Sequence, residues 1–259
     1  MFAINPFKIG ADPEFYAITK SGDHHNIKGY TTKEAADVAF DHNGDVLEVK
    51  PAPSKYAFRV VRRIKKLLLE HQTTTRMLSQ GLRFRAGGRV TTATRNLGLG
   101  GHIHIDIPFD KDWQPQFNAL HLIRQSLEDF DILPQKDSKY RNQYQHIDPV
   151  RKANDANRLE YRSMCSWLHS PVAAQLCLTA GKLAAAQPSS VVKVFDSVAE
   201  LREWFEKFKT KDWDAARVVE KIFEPKLKLE ARIDVDLEDS WKSLKRLGGI
   251  GSDESSSAL

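Results

Sequence analysis

The chain has 259 residues, 41% of them hydrophobic, which suffices for the core of one large domain or two small ones. Its 39 Lys and Arg residues against 34 Asp and Glu residues give a net charge of +5, spread along the chain, so nucleic acid is an allowed partner but is not indicated. With only two cysteines, the sequence excludes a disulfide scaffold. It contains no apolar run near the roughly 18 residues of a membrane span, which excludes a membrane partner, and its start does not resemble a secretory signal. We therefore expect a cytoplasmic protein.

The first predicted element is a strand over residues 7–18, in which Asp12 and Glu14 share a face. An acidic pair in an apolar strand is costly to bury unless a metal or a basic group lies opposite. The alternative is an edge strand with both acids in solvent, and Pro13 restricts the strand to an edge, a start or a bulge.

A hairpin is predicted next, because Asn43-Gly44 separates two apolar-patterned runs, 37–40 and 45–50. Glu48 and Lys50 share one face of its second strand, which Pro51 ends. The polar residues 19–35 before it indicate a loop or a ragged hairpin, in which two adjacent histidines are expected to be exposed.

A helix is predicted from an N-cap at Ser54 to about Ser79, with apolar residues at helical spacing. Its opposite face is basic and includes Lys55, Arg59, Arg62, Arg63 and Lys66. Such a stripe is typical of the solvated side of a core helix, and binding of a polyanion is the alternative.

A strand over 82–86 and a Gly87-Gly88 turn lead to a glycine-rich loop and a further strand, in which His102, His104 and Asp106 alternate with isoleucines. Two imidazoles and a carboxylate on one face could hold a cation or a phosphate-bearing substrate. A solvated edge strand is the alternative.

A second core helix is predicted over 116–131, and the polar stretch 134–157 is interpreted as a lid. The strand that follows places Arg158, Glu160 and Arg162 on one face. These three could form a ladder of cross-strand ion pairs, or bind a metal through the glutamate and a phosphate or carboxylate through the arginines.

The remainder is predicted to be helical, with a helix over 171–186 and further helices near 197–209, 213–223 and 236–247. Its aromatic residues are expected to pack in the core: Trp204, Phe205, Phe208, Trp213 and Trp241. We expect one domain over residues 1–247, helical from 187 onward, and a flexible tail over 248–259.

Four separate strands thus offer acidic or imidazole side chains. On one concave face of a mostly antiparallel sheet they would form a multi-carboxylate site suited to Mg²⁺ or Mn²⁺ that bridges nucleotide phosphates. No phosphate-loop motif and no Rossmann glycine motif occurs, which disfavours those two kinds of nucleotide site.

Four motifs together resemble the carboxylate-amine ligases (amidoligases) of bacteriophages, which are distant relatives of glutamine synthetase and glutamate-cysteine ligase. The motifs are Gly10-Ala11-Asp12-Pro13-Glu14-Phe15, Asp45-Val46-Leu47-Glu48-Val49-Lys50-Pro51, Gly100-Gly101-His102-Ile103-His104 and Arg158-Leu159-Glu160-Tyr161-Arg162. The resemblance covers roughly residues 8–170. It implies an α+β, glutamine-synthetase-like fold, an antiparallel sheet backed by helices, with ATP and two or three divalent cations on the concave face.

The resemblance also implies roles for individual residues. The implied metal ligands are Asp12, Glu14, Glu48, His102 and Glu160, and His102 would lie near the nucleotide metal. Arg162 matches an arginine that faces the transferred phosphoryl group, with Arg158 beside it, and His104 or a carboxylate could accept the amine proton. Lys50 would contact the nucleotide, although it stands where the family usually has arginine.

The implied reaction is ATP-dependent amide formation through an acyl phosphate, from a small-molecule or peptide carboxylate and an amine. Related enzymes assemble as rings or dimers, and either is compatible with this sequence. Two alternatives remain: a metal-dependent hydrolase that uses the same acidic and histidine cage, and a non-enzymatic protein that binds nucleic acid through the basic helix and the 134–157 loop.

Overall fold

A computed structural model describes residues 7–106, 113–134, 150–152, 159–223 and 236–242. Arg158, most of the predicted 134–157 lid and the predicted tail 248–259 lie outside the described residues. Within the described part of the chain, no helix is long and apolar enough to cross a membrane. The two cysteines, Cys165 and Cys177, are buried free thiols.

The strands are numbered in chain order as follows: β1 (Ile9–Ile18), β2 (His24–His25), β3 (Val38–Asp41), β4 (Val46–Val49), β5 (Arg83–Arg85), β6 (Arg89–Thr91), β7 (Asn96–Gly98), β8 (Gly101–Ile105), β9 (Val150–Lys152) and β10 (Leu159–Tyr161). The main sheet has the order β3-β4-β1-β8-β10-β9, and β2 and β5 also pair with β1. Every pairing between these strands is antiparallel, as the sequence predicts.

The helices, again in chain order, are α1 (Ala57–Leu69), α2 (Gln72–Ser79), α3 (Gln114–Asp129), α4 (Pro171–Ala186), α5 (Val198–Glu206), α6 (Trp213–Arg217) and α7 (Leu237–Lys242). A π-helical turn, Val218–Ile222, continues α6, and 3-10 turns occur at His42–Gly44 and Pro188–Ser190. The predicted α+β class is therefore confirmed.

One face of the sheet is apolar and packs against helices. Ile103 and Ile105 of β8 are fully buried, as are Ile9 and Phe15 of β1. Gly181 permits close packing of α4 on this face, since a Cβ at that position would lie 3.2 Å from Cγ2 of Ile103. Because side chains alternate along a strand, the residues between these face the other side of the sheet.

The position of Pro13 differs from the prediction. The residue lies opposite Gly101 in β1, which is a central strand rather than an edge strand. Proline lacks an amide hydrogen, and it sits where the pairing of β1 with β8 ends and the pairing with β4 begins at Glu14. Pro13 thus lies where β1 changes its pairing partner, and the absence of its amide hydrogen is tolerated there.

The predicted helix from Ser54 to Ser79 is wrong in two respects. It is two helices, α1 and α2, and Ser54 forms an isolated bridge with Ile9 rather than the N-cap. The cap comes instead from distant Asp214, whose carboxylate accepts hydrogen bonds from the amides of Ala57 at 2.9 Å and Phe58 at 3.2 Å. A tertiary contact therefore satisfies the first donors of α1.

Asp214 belongs to a buried group of charges, Lys182, Asp212 and Asp214, which we name the helix cluster. Lys182 Nζ lies 2.5 Å from Asp214 Oδ2 and 2.7 Å from Asp212 Oδ2, and all three side chains are at most 3% exposed. The Asp212 carboxylate also caps α6 by accepting a hydrogen bond from the Ala215 amide at 2.9 Å. The cluster joins α4, α6 and the start of α1.

A second, small sheet was not predicted. Strands β6 and β7 form a hairpin where the sequence indicates only a turn and a loop. Val90 and Leu99 of this region pack with Val46 and Tyr16, which share a face with Glu48 and Glu14. The hairpin therefore covers one end of the polar face of the main sheet.

Candidate metal centre

The strand register brings the predicted acidic and imidazole residues to one face of the sheet. Glu14 lies opposite Glu48, Asp12 opposite His102, and His104 opposite Glu160. Directly opposite residues share a face, as do residues two apart in one strand. These six side chains from β1, β4, β8 and β10 form what we name the sheet cluster: Asp12, Glu14, Glu48, His102, His104 and Glu160.

Asp12 is at the centre of the sheet cluster. Its Oδ1 atom lies 3.1 Å from Nδ1 of His102 and 3.1 Å from Nε2 of His104. His102 Nδ1 is also 3.6 Å from Oε1 of Glu160. A single carboxylate oxygen is therefore shared by two imidazole rings, one of which reaches the acid of the next strand.

Burial and crowding change the protonation of the cluster. Burial raises the pKa of Asp12, but the charges of His102 and His104 outweigh it and hold this pKa well below its ordinary value. Glu48 has the opposite response: burial, then the negative charge of Asp12, raises its pKa to about 8, against a smaller opposing effect of Lys50. A cation placed between these carboxylates would relieve their repulsion.

Two overlapping sets of side chains have the spacing of metal ligands. Asp12, His104 and Glu160 form one set, and Asp12, Glu48 and His102 form the other, with the ligand atoms of each set within 4.8 Å of one another. The carboxylate oxygens suit Mg²⁺ or Mn²⁺, and the imidazole nitrogens are ligands for a first-row transition metal such as Mn²⁺. The donor set present thus fits the predicted divalent cations, and Asp12 is common to both positions.

Glu14 lies outside both sets. One of its carboxylate oxygens, Oε2, accepts a hydrogen bond from the amide of Gly100, and its own amide donates to the Gly100 carbonyl at 2.7 Å. Its charge nevertheless contributes to the raised pKa of Glu48. The sequence could not show this backbone contact, because it depends on how the glycine-rich loop folds against β1.

The glycines before β8 allow this close approach. A Cβ at Gly100 would lie 2.2 Å from Nε2 of His102, and a Cβ at Gly101 would lie 2.5 Å from the Cys165 carbonyl oxygen. Neither site has room for a side chain. Gly100 is therefore required for the packing of the His102 ring, and Gly101 for the close approach of the Cys165 carbonyl, independently of any positive φ.

Basic side chains flank the sheet cluster at both ends. Lys50 Nζ lies 3.4 Å from Oε2 of Glu48, and Arg162 Nε lies 3.4 Å from Oε1 of Glu160. Both were predicted as site residues, and the structure brings both to the acidic face. Arg158 lies outside the described residues.

Comparisons with known proteins support a common fold. A chain in the crystal structure of the complex between the prokaryotic ubiquitin-like protein Pup and its ligase PafA is 8% identical, with a TM-score of 0.52 over 95% of this chain and 64% of that chain. This chain therefore spans less than two thirds of that length. No curated protein matches the sequence.

Two further solved structures have lower TM-scores. A novel glutamine synthase homolog is 10% identical, with a TM-score of 0.45 over 87% of this chain and 69% of that chain. A bifunctional glutathione synthetase from Pasteurella multocida is 10% identical, with a TM-score of 0.46 over 93% of this chain and 51% of that chain.

The family comparison is the decisive one. A single family model, described as phage phiEco32-like COOH.NH2 ligase-type 2, matches residues 9–227 and so includes every residue of the sheet cluster. The match agrees with the resemblance carried by the four sequence motifs. The chain belongs to this family of carboxylate-amine ligases.

Proposed function

We propose that the protein is an ATP-dependent ligase that joins a carboxylate to an amine through an acyl-phosphate intermediate. The observation that carries the proposal is the convergence of six acidic and imidazole side chains from four strands on one face, with Asp12 common to two ligand sets. Family membership favours ligation over the hydrolase and the non-enzymatic alternatives. We also propose that residues 1–247 form one catalytic domain.

The sheet cluster would hold divalent cations. We assign Asp12, Glu48, His102 and Glu160 as ligands, with Glu14 adding negative charge beside Glu48. Bound Mg²⁺ or Mn²⁺ would supply charge neutralisation for the phosphates of ATP. Mg²⁺ is usually held by one or two carboxylates together with substrate phosphates, so each of the two ligand sets has sufficient protein ligands.

The chemistry requires ATP because a carboxylate is a poor electrophile in water. Transfer of the terminal phosphoryl group to the acid creates a leaving group that an amine can displace. Arg162 is held beside Glu160 at the rim of the cluster, where its guanidinium can stabilise the phosphoryl group during transfer. Lys50, at the opposite rim, would contact the nucleotide, and Arg158 would assist Arg162.

His104 is proposed to accept the proton that the attacking amine loses. Its Nε2 atom lies 3.1 Å from Asp12 Oδ1, and a neighbouring carboxylate stabilises an imidazole that gains a proton. The same ring also belongs to one of the ligand sets. A His104→Gln variant separates the two roles: loss of a base changes the pH–rate profile, whereas loss of a ligand lowers Mn²⁺ affinity.

The test of the proposed function is the release of ADP with mixtures of candidate acids and amines. A small-molecule acid or a peptide carboxylate is paired with ammonia or a primary amine, and each is omitted in turn. The proposal requires ADP release that depends on both partners and on Mg²⁺ or Mn²⁺. Turnover of a phosphoester or amide without ATP would favour a hydrolase instead.

A further inference from the structure

One surface of the molecule lies outside the sheet cluster and combines exposed cations with aromatic rings. It is formed by the start of α1 and by α6, and we name it the aromatic–arginine patch: Tyr56, Phe58, Arg59, Trp213 and Arg217. Tyr56 is 37% exposed, one of the large hydrophobic side chains that are exposed among the described residues. Arg59 is also exposed, and Phe58, Trp213 and Arg217 are half-buried.

The three rings of the patch contact one another. The centroids of Phe58 and Trp213 are 4.4 Å apart, and those of Tyr56 and Phe58 are 5.7 Å apart. Arg59 lies 5.1 Å above the Tyr56 ring, and Arg217 lies 5.4 Å above the Trp213 ring. Stacked guanidinium groups and rings of this kind present both positive charge and π surface.

The charge along α1 has one sign. Between Glu48 and Glu70 the chain contains no acidic residue, while it contains seven lysines and arginines. Five of these are in α1 itself, and the helix has no acidic residue in its first turn. By contrast, α5 pairs Arg202 with Glu206 within the helix.

A carboxylate beside the patch, that of Asp214, is already engaged. Asp214 binds the amides at the start of α1 and Lys182, and it is fully buried. Burial lowers the pKa of Arg217, and the positive charge of nearby Arg62 lowers it further against the opposing effect of Asp214. The positive charges of Arg62 and Arg217 therefore disfavour each other, and an external anion would relieve this repulsion.

We propose that the aromatic–arginine patch and the adjoining basic face of α1 bind single-stranded nucleic acid. Single strands offer regularly spaced phosphates together with bases that stack on aromatic side chains, which is the combination of groups the patch presents. An acidic polypeptide matches the charge but not the rings. This binding is distinct from ligation and does not depend on the function proposed above.

The experiment measures fluorescence anisotropy of labelled oligo-dT and oligo-U of about 20 bases, without ATP or metal. Between about 50 and 200 mM salt the affinity should fall steeply, because bound phosphates release counterions. The variants are Arg59→Ala with Lys66→Ala, which removes two exposed cations of the face, and Tyr56→Leu, which removes the exposed ring. The matched control, Lys193→Ala with Lys209→Ala, removes two exposed cations elsewhere that are paired with carboxylates.

The double α1 variant should weaken binding about tenfold or more and reduce the salt slope, whereas the control should change both little. Tyr56→Leu should weaken oligonucleotide binding about fivefold or more but leave polyglutamate binding unchanged. Thermal unfolding and ADP release should match the parent protein in all variants.

Absence of oligonucleotide binding, equal losses in the control, or polyglutamate binding as tight as that of oligonucleotides would each overturn the proposal. Glu14→Gln should bind oligonucleotides normally, so failure of the ligase function is distinguishable.

Discussion

The sheet cluster and the helix cluster both bury carboxylates, but they neutralise them differently. In the helix cluster, Lys182 and backbone amides face the two aspartates at hydrogen-bond distance. In the sheet cluster the carboxylates crowd one another, and the pKa of Glu48 rises to about 8 through burial and the charge of Asp12. A lysine and amides at hydrogen-bond distance therefore identify a structural group, whereas the longer 3.4 Å contact of Lys50 with Glu48 indicates a site that an external cation completes.

This difference can be tested by removing one charge at a time. Changes in the sheet cluster should affect turnover and metal binding without destabilising the fold. Changes in the helix cluster should affect folding first.

The largest effect is expected in the sheet cluster. Arg162→Ala should lower ADP release by about a thousandfold or more, because the transferring phosphoryl group loses a cation that water cannot replace. Glu14→Gln should also lower ADP release, because the cations bound beside Glu48 lose a neighbouring negative charge. Thermal unfolding should stay close to that of the parent protein. Unchanged turnover in either variant would contradict these assignments, and Lys193→Ala serves as a surface control.

The next largest effect is expected in the helix cluster. Lys182→Met should lower the free energy of unfolding by about 3–5 kcal/mol, since it leaves two buried aspartates without their cation. Urea denaturation measures this change. The double variant Lys182→Met with Asp214→Asn should recover part of it, and a loss of Mn²⁺ affinity in the folded Lys182→Met protein would break the separation of the two clusters.

The smallest effect, taken per unit of pH, is the pH dependence of the metal-free protein. Glu48 has a folded pKa of about 8 against an ordinary value of 4.5, so the folded state holds the proton more tightly than the unfolded state. Its contribution to stability therefore falls as pH rises between these values, by at most about 1.4 kcal/mol per pH unit.

Urea denaturation of Glu48→Gln across this range checks the effect. The substitution should remove this part of the slope and stabilise the metal-free protein near pH 8. A slope that is the same in parent and variant would show that the carboxylate titrates at its ordinary value when folded.

Local pattern was sufficient to predict most of the sheet cluster. Period-two alternation correctly assigned His102 and His104 to one face, and the Asn43-Gly44 hairpin correctly placed Glu48 on the strand that pairs with β1. The prediction that these residues meet on one face came from the order of the four motifs and the family resemblance, and not from geometry. Strand register, which creates the contacts, follows from side-chain alternation once the pairing partners are known.

Contacts between distant parts of the chain were not predictable. Asp214 caps α1 from 157 residues away, so local capping rules favoured Ser54 instead. The sequence predicts an edge, a start or a bulge at Pro13, because the change of partner in mid-strand depends on two other strands. The β6–β7 hairpin has strands of only three residues, too short for a periodic signal, and it is held by tertiary packing on Tyr16 and Val46.

The most direct measurement is anomalous diffraction from crystals grown with Mn²⁺ and a non-hydrolysable ATP analogue. The proposed function predicts manganese peaks on the acidic face, in contact with Asp12 and with Glu48 or Glu160, and nucleotide phosphates bound to the same ions. Manganese bound elsewhere, or nucleotide phosphates that make no contact with ions on this face, would contradict it.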